Sequence, residues 1–140
     1  GRGGPASGMK LSMMIILGLA GAEGSERHAL ATAKAINIIK PTHLSALCLM
    51  LYRGSELLEQ YEAGKFNPLS PAGLMRELKL IIENIDLPAD RHCLFRSNHV
   101  SNYVQLAATL PHDKQRLLRD IDYSIAQLSK LKSWDVYNYN

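Results

Sequence analysis

Lys10-Leu11-Ser12-Met13-Met14-Ile15-Ile16-Leu17, followed by Gly18-Leu19-Ala20-Gly21-Ala22-Glu23-Gly24-Ser25, is the stretch whose reading decides the fold. Its first half is almost continuously apolar and shows no strict alternation. A run of this kind reads as a strand with both faces covered, as in parallel sheets beneath helices. Gly18, Gly21 and Gly24 then make a tight turn, and Ser25 is a candidate N-cap. From Glu26 to Ile39, Ala29, Leu30, Ala33 and Ile36 fall on one face at helical spacing. Lys40-Pro41 ends the helix, because the residue before a proline is pushed out of the helical region.

The same apolar run has the outline of a secretory signal. Met13 to Ala22 follows Arg2 and Lys10, and Ala20-Gly21-Ala22 has the small residues of a cleavage site. The run is shorter than the roughly 20 apolar residues that span a bilayer. It is rich in β-branched and flexible apolar residues, and it breaks at Gly18 just where a helical pattern begins. A buried strand explains those features better, so a cytoplasmic protein is expected. The opening GRGGPASG, residues 1–8, has no periodicity and reads as a disordered lead-in outside the fold.

Downstream the pattern alternates. His43 to Tyr52 (HLSALCLMLY) is a second apolar strand, and Gly54-Ser55 reopens a short helix that stops at Ala63-Gly64. Ser70-Pro71 is a strong helix start. After it, Leu74, Leu78, Ile81, Ile82 and Ile85 repeat at amphipathic spacing. Leu87-Pro88-Ala89-Asp90 is a loop. A short third strand, about His92 to Arg96, leads into a polar turn at Ser97-Asn98-His99. Pro111 opens a last helix with Leu118, Ile121, Ile125 and Leu128 on one face to about Lys132, and Trp134 to Asn140 reads as a frayed tail. Strand–helix alternation implies an α/β protein with right-handed parallel crossovers. Three strands are few for a sheet buried on both faces, which suggests part of a larger sheet or barrel.

Composition bounds the rest. The 140 residues are 46% hydrophobic and 21% charged, enough for one packed core and too apolar for wholesale disorder. Lys and Arg total 16 against 13 Asp and Glu, and the excess of +3 is scattered, so nothing argues for nucleic acid. Cys48 and Cys93 sit far apart inside apolar runs, giving neither a disulfide framework nor a zinc knuckle. His28, His43, His92, His99 and His112 contain no H-x-x-x-H pair, so no metal ligand set is read. No G-x-S-x-G elbow is present to support a serine nucleophile. Glu56, Glu59 and Glu62 form a solvated helical face.

Two segments have the chemistry of ligand contacts. The Gly18–Gly24 turn lets backbone approach a ligand ahead of a helix N-terminus, although its spacing is neither a dinucleotide fingerprint nor a phosphate loop. It reads equally as a plain strand-to-helix turn. Phe95-Arg96-Ser97-Asn98-His99-Val100-Ser101-Asn102-Tyr103 concentrates polar side chains after a strand, where α/β folds bind ligands. Ser and Asn there also suit a self-capped turn.

Taken in order, these segments resemble a known family. Ile15-Ile16-Leu17-Gly18-Leu19-Ala20-Gly21 with His28-Ala29-Leu30-Ala31-Thr32-Ala33 resembles the fifth strand and following helix of radical S-adenosylmethionine enzymes. Pro41-Thr42-His43-Leu44-Ser45-Ala46-Leu47, Leu49-Met50-Leu51 and Arg53-Gly54-Ser55-Glu56-Leu57 resemble the sixth strand and its turn. The run Cys93-Leu94-Phe95-Arg96-Ser97-Asn98-His99-Val100-Ser101-Asn102-Tyr103, with Leu110-Pro111-His112-Asp113-Lys114, is similar to a later segment. It is found in iron–sulfur oxidoreductases labelled as similar to oxygen-independent coproporphyrinogen oxidase. The resemblance covers about Gly8 to Asp122.

That resemblance implies the C-terminal part of a partial (β/α)6 TIM-like barrel over residues 9–133. In the family, a C-x-x-x-C-x-x-C motif holds a four-iron, four-sulfur cluster (4Fe-4S). The reduced cluster cleaves S-adenosylmethionine to a 5′-deoxyadenosyl radical, which abstracts hydrogen from substrate. This chain has neither that motif nor the Gly-Gly-Glu segment that meets the methionine amino group. The implied role is therefore a fragment, or one partner of a split enzyme, that is not catalytic alone and binds no cofactor tightly. Leu17, Gly18, Leu19, Gly21, Leu49, Met50 and Leu51 would face the adenine. Arg96, Ser97, Asn98, His99 and Asn102 would meet substrate or cofactor hydroxyls. The alternative is a small non-catalytic nucleotide- or anion-binding module. The partners implied are the missing N-terminal half of the barrel and, through exposed sheet edges, a second copy; no membrane is implied.

Overall fold

A computed structural model describes residues 10–49, 55–100 and 104–129, with backbone alone at 98–100, 104 and 105. The elements are β1 (Ser12–Leu17), α1 (Ser25–Ile39), β2 (His43–Cys48), α2 (Glu56–Glu62), α3 (Pro71–Glu83), β3 (Cys93–Val100), β4 (Val104–Leu110) and α4 (Lys114–Leu128). They form a mixed α/β fold around one four-stranded sheet of order β1-β2-β3-β4. β1, β2 and β3 are parallel, joined by the crossovers that the alternating pattern implies. β4 returns antiparallel to β3. Among the described residues no helix is long and apolar enough to cross a membrane.

The third strand does not stop at Arg96. β3 continues to Val100 through the residues read as a polar turn, and β4 was not anticipated. Polar residues are tolerated there because the strand is nearing the end of a hairpin, with a register irregularity between Ser97 and Val100. In β4, Leu106, Ala108 and Leu110 are buried while Ala107 is exposed. That is a true period of two, written in small residues that carry little strand signal.

The expectation that the strands are covered on both faces is also corrected. Ile15 and Leu17 are buried, whereas Met14 is 63% exposed and Ile16 38%. β2 follows suit, with Leu44, Ala46 and Cys48 buried and the residues between them only half-buried. Successive right-handed crossovers stepping in one direction put α1 and α3 on the same side of the sheet, and α4 packs beside α3. The result is two layers, with an apolar second face left open because Met14, Ile16, Leu47 and Leu94 lie on it.

The helix layer centres on α3, where Leu74, Met75, Leu78, Ile81 and Ile82 are fully buried against α1, α4 and the sheet. Its start is as its sequence implies: the Ser70 hydroxyl accepts from Gly73 N at 3.0 Å, with Pro71 in the first turn. The Ser55 hydroxyl caps α2 in the same way, accepting from Leu58 N at 3.1 Å. On α1, Ala29, Ala33 and Ile36 are buried but Leu30 is 43% exposed, so the packed stripe is narrower than its apolar spacing. Two basic side chains close helix ends, where carbonyls lack partners. Arg91 Nη2 donates to Lys40 O at 2.6 Å, and Lys114 Nζ donates to Glu83 O and Ile85 O at 3.2 and 2.7 Å.

Candidate functional site

The carboxyl ends of β1 and β2 come together at one place. Leu49 N donates to Leu17 O at 2.9 Å, so the ladder extends one residue past β2 and puts Leu17, Gly18 and Leu49 side by side. Gly18 then turns the chain with φ +85°, and a Cβ there would stand 2.7 Å from Leu74 Cδ2. The backbone conformation requires glycine, and any Cβ would also force the buried Leu74 side chain to shift. Gly21 N donates to Gly18 O at 3.1 Å, and Ala22 N donates to Asn67 O at 2.7 Å, so the turn is closed on itself and on the α2–α3 connection.

Behind this turn stands Glu77 of α3, 2% exposed. Its Oε2 accepts from Gly18 N at 3.1 Å and its Oε1 accepts from the Ser25 hydroxyl at 2.7 Å. His28 Nε2 lies 3.8 Å from the same carboxylate and donates to Ile16 O at 3.1 Å. Ser25 is thus the first helical residue, after an N-cap at Gly24 that makes no side-chain capping bond, and its hydroxyl serves Glu77. A buried carboxylate fixes the glycine turn by charge-assisted hydrogen bonds to both its ends. Sequence reasoning missed Glu77, yet the signal existed: it sits three residues after Leu74 and one before Leu78, inside the packed stripe of α3.

Of the other expected site residues, Gly21 lies in the same turn and Leu19 is half-exposed beside it. The Leu17 side chain points into the helix layer and is fully buried, so only its backbone is at the site. Met50, Leu51 and Asn102 lie outside the described residues, and Asn98 and His99 are described as β3 backbone alone. Arg96 and Ser97 are parted by the strand. Arg96 is on the open face, in register with Ser45, while Ser97 is fully buried on the helix side with no partner for its Oγ among the described residues. They cannot hold one ligand together from a single face.

The histidines are dispersed. His43 Nδ1 lies 3.0 Å from Thr42 Oγ1, His92 stacks on His112 with ring centroids 5.2 Å apart, and His28 serves the glycine turn. Burial, reinforced by the Glu77 charge, pushes the Cys48 thiol up to about 12, and burial alone pushes Cys93 up to about 11. Cys48 ends β2 and Cys93 begins β3, so they stand at opposite ends of parallel strands. Among the described residues no group of three or more His, Cys, Asp and Glu is placed to hold a metal ion. This donor set does not fit a four-iron, four-sulfur cluster, which takes four thiolate-type ligands or three with an open iron.

A shallow groove of about 520 Å³ lies at the far end of α1, lined by residues that include Leu30, Lys34, Asn37, Ile38 and Asn84. Its amides are committed: Asn37 Nδ2 donates to Asn84 O at 2.9 Å, Asn37 Oδ1 accepts from Asp86 N at 2.6 Å, and Asn84 Nδ2 donates to Leu80 O at 2.8 Å. The groove therefore braces α1 against the end of α3, and the glycine turn is the better candidate site. No family model, curated protein or solved structure matches this chain.

Proposed function

We propose that this chain is the C-terminal part of a radical S-adenosylmethionine oxidoreductase barrel, contributing the adenosine side of the cofactor site and part of the substrate wall. The observation that carries the reading is the Leu17–Gly18–Leu49 junction. Two neighbouring parallel strands end there in a glycine turn, braced from behind by a buried carboxylate. Ligands of α/β folds bind at such carboxyl ends, and a turn without side chains lets a flat base lie against backbone. With Leu17 O, Leu49 N and Gly18 N already paired, recognition of an adenine here rests on shape and apolar contact, with Leu19 as the exposed wall. Arg96 is the described side chain of the 96–102 segment that reaches the open face.

In this account the open face of the sheet is the inner wall of the barrel, and the missing N-terminal half supplies the cluster. The chain alone performs no radical chemistry and takes up no stoichiometric cluster on anaerobic reconstitution. β1 has one hydrogen-bonded neighbour among the described strands, and its free edge is the proposed contact both for that missing half and for self-association of the isolated chain.

Calorimetric titration with S-adenosylmethionine, adenosine and ATP tests the reading. Weak, saturable binding of S-adenosylmethionine and adenosine, with no gain for ATP, is expected. A clear preference for ATP would replace the cofactor fragment with a non-catalytic nucleotide- or anion-binding module.

A further inference from the structure

Gly21 is buried although Ala20 and Ala22 on either side of it are exposed. What covers it comes from the connection between α2 and α3. A Cβ at Gly21 would stand 3.3 Å from Phe66 Cε1 and 3.1 Å from Asn67 O. With φ +72° and no Cβ, this position lets an aromatic ring and a carbonyl lie directly against backbone.

Local structure delivers the ring to this place. Gly64, with φ +77°, turns the chain at the end of α2, and Lys65 N and Phe66 N both donate to Gln60 O, at 2.7 and 3.2 Å. On the other side of Phe66 in sequence, Asn67 O accepts from Ala22 N, and Asn67 Nδ2 donates to Glu23 Oε2 at 3.3 Å. The ring is half-buried in a small apolar cluster with Leu57, Leu58 and Tyr61, apart from the main core. Phe95, by contrast, is fully buried in that core, and Tyr123 stands 69% exposed on α4. Phe66 is thus a ring fixed against the glycine turn with part of its surface left in water.

An aromatic face attracts any flat base, without reading the groups on the base's edge. That matters at this turn, where Leu17 O, Leu49 N and Gly18 N are already paired and leave little backbone to read a base by hydrogen bonds. We propose that Phe66 is the stacking residue of the site: a purine lies on its ring beside the glycine turn. The proposal rests on the adenosine site at Leu17, Gly18 and Leu49, and it assigns to that site the side chain that holds the base.

Adenosine titrated with the full chain and followed by proton NMR tests it. Phe66→Leu keeps an apolar side chain in the α2 cluster and removes the ring, whereas Phe66→Tyr keeps the ring; a thermal melt verifies that both fold. Wild type and Phe66→Tyr are expected to bind alike and to move the adenine H2 and H8 resonances upfield, the ring-current signature of a stacked base. Phe66→Leu is expected to bind about tenfold more weakly and to lose the upfield shift. Unchanged affinity and shift in Phe66→Leu would overturn the proposal and leave the adenosine site standing. A loss in Phe66→Tyr as large as in Phe66→Leu would also overturn it, because the ring would then serve only to pack the α2–α3 connection. Wild type that binds no adenosine would remove the site and the proposal together.

Discussion

Glu77 holds both ends of the glycine turn, through Gly18 N and the Ser25 hydroxyl, from a position with no exposed side-chain surface. Glu77→Ala removes the acceptor from two donors that stay buried or half-buried, and leaves a void behind the turn. A loss of about 3 kcal/mol in unfolding free energy is expected, most of it the cost of unsatisfied donors. Glu77→Gln, which keeps an acceptor oxygen, should lose less than half of that. Denaturant melts of the three proteins measure the difference; equal stability of Glu77→Ala and wild type would mean the turn is held by its own backbone bonds. The position was overlooked in the sequence because Glu77, next to Arg76, reads as the polar edge of an amphipathic helix. Only the approach of β1 turns that edge into interior. Gly18, by contrast, was legible, since a glycine closing an apolar run signals a turn whatever it packs against.

Elements differed in legibility according to how local their determinants were. α3 was readable from end to end, because Ser70-Pro71 and the apolar spacing from Leu74 to Ile82 are contained within the helix. β1 and β2 were readable as strands but not as to their exposure, since their partly exposed face is as apolar as their buried one. β4 was lost because it is held by its register with β3 and by α4, not by strong β-formers. Asp113 shows how that end is fixed. Its Oδ2 accepts from Thr109 N at 2.9 Å and lies 3.5 Å from Arg116 Nη2, tying the end of β4 to the first turn of α4. The Thr109 amide and then the Arg116 charge hold its carboxyl below the usual aspartate range. A lowered folded-state value means the stabilisation is complete above the ordinary aspartate pKa and is lost as pH falls through the folded value. Asp113→Ala should therefore melt below wild type at neutral pH, with the gap closing in acid. A gap that persists unchanged to about pH 2 would show that the ionised carboxylate contributes nothing.

For the molecule as a whole, one layer of helices on one face of a mixed sheet explains why the core lies on one side of the sheet. A core built on α3 closes the helix side, while the opposite face keeps Met14, Ile16 and Leu94 partly in water and β1 has one neighbour among the described strands. Length and composition announced one ordinary domain; the strand faces, once placed, show a sheet packed on one side and partly in water on the other. The cofactor reading makes a local claim within that frame, that adenosine lies against the junction of β1 and β2. Amide shifts of the labelled chain titrated with S-adenosylmethionine test it most directly. The account predicts changes concentrated at Gly18, Leu19, Gly21 and Leu49, reproduced by adenosine alone. Changes confined to Lys34, Asn37 and Asn84 in the groove between α1 and α3, or none at saturating ligand, would contradict it.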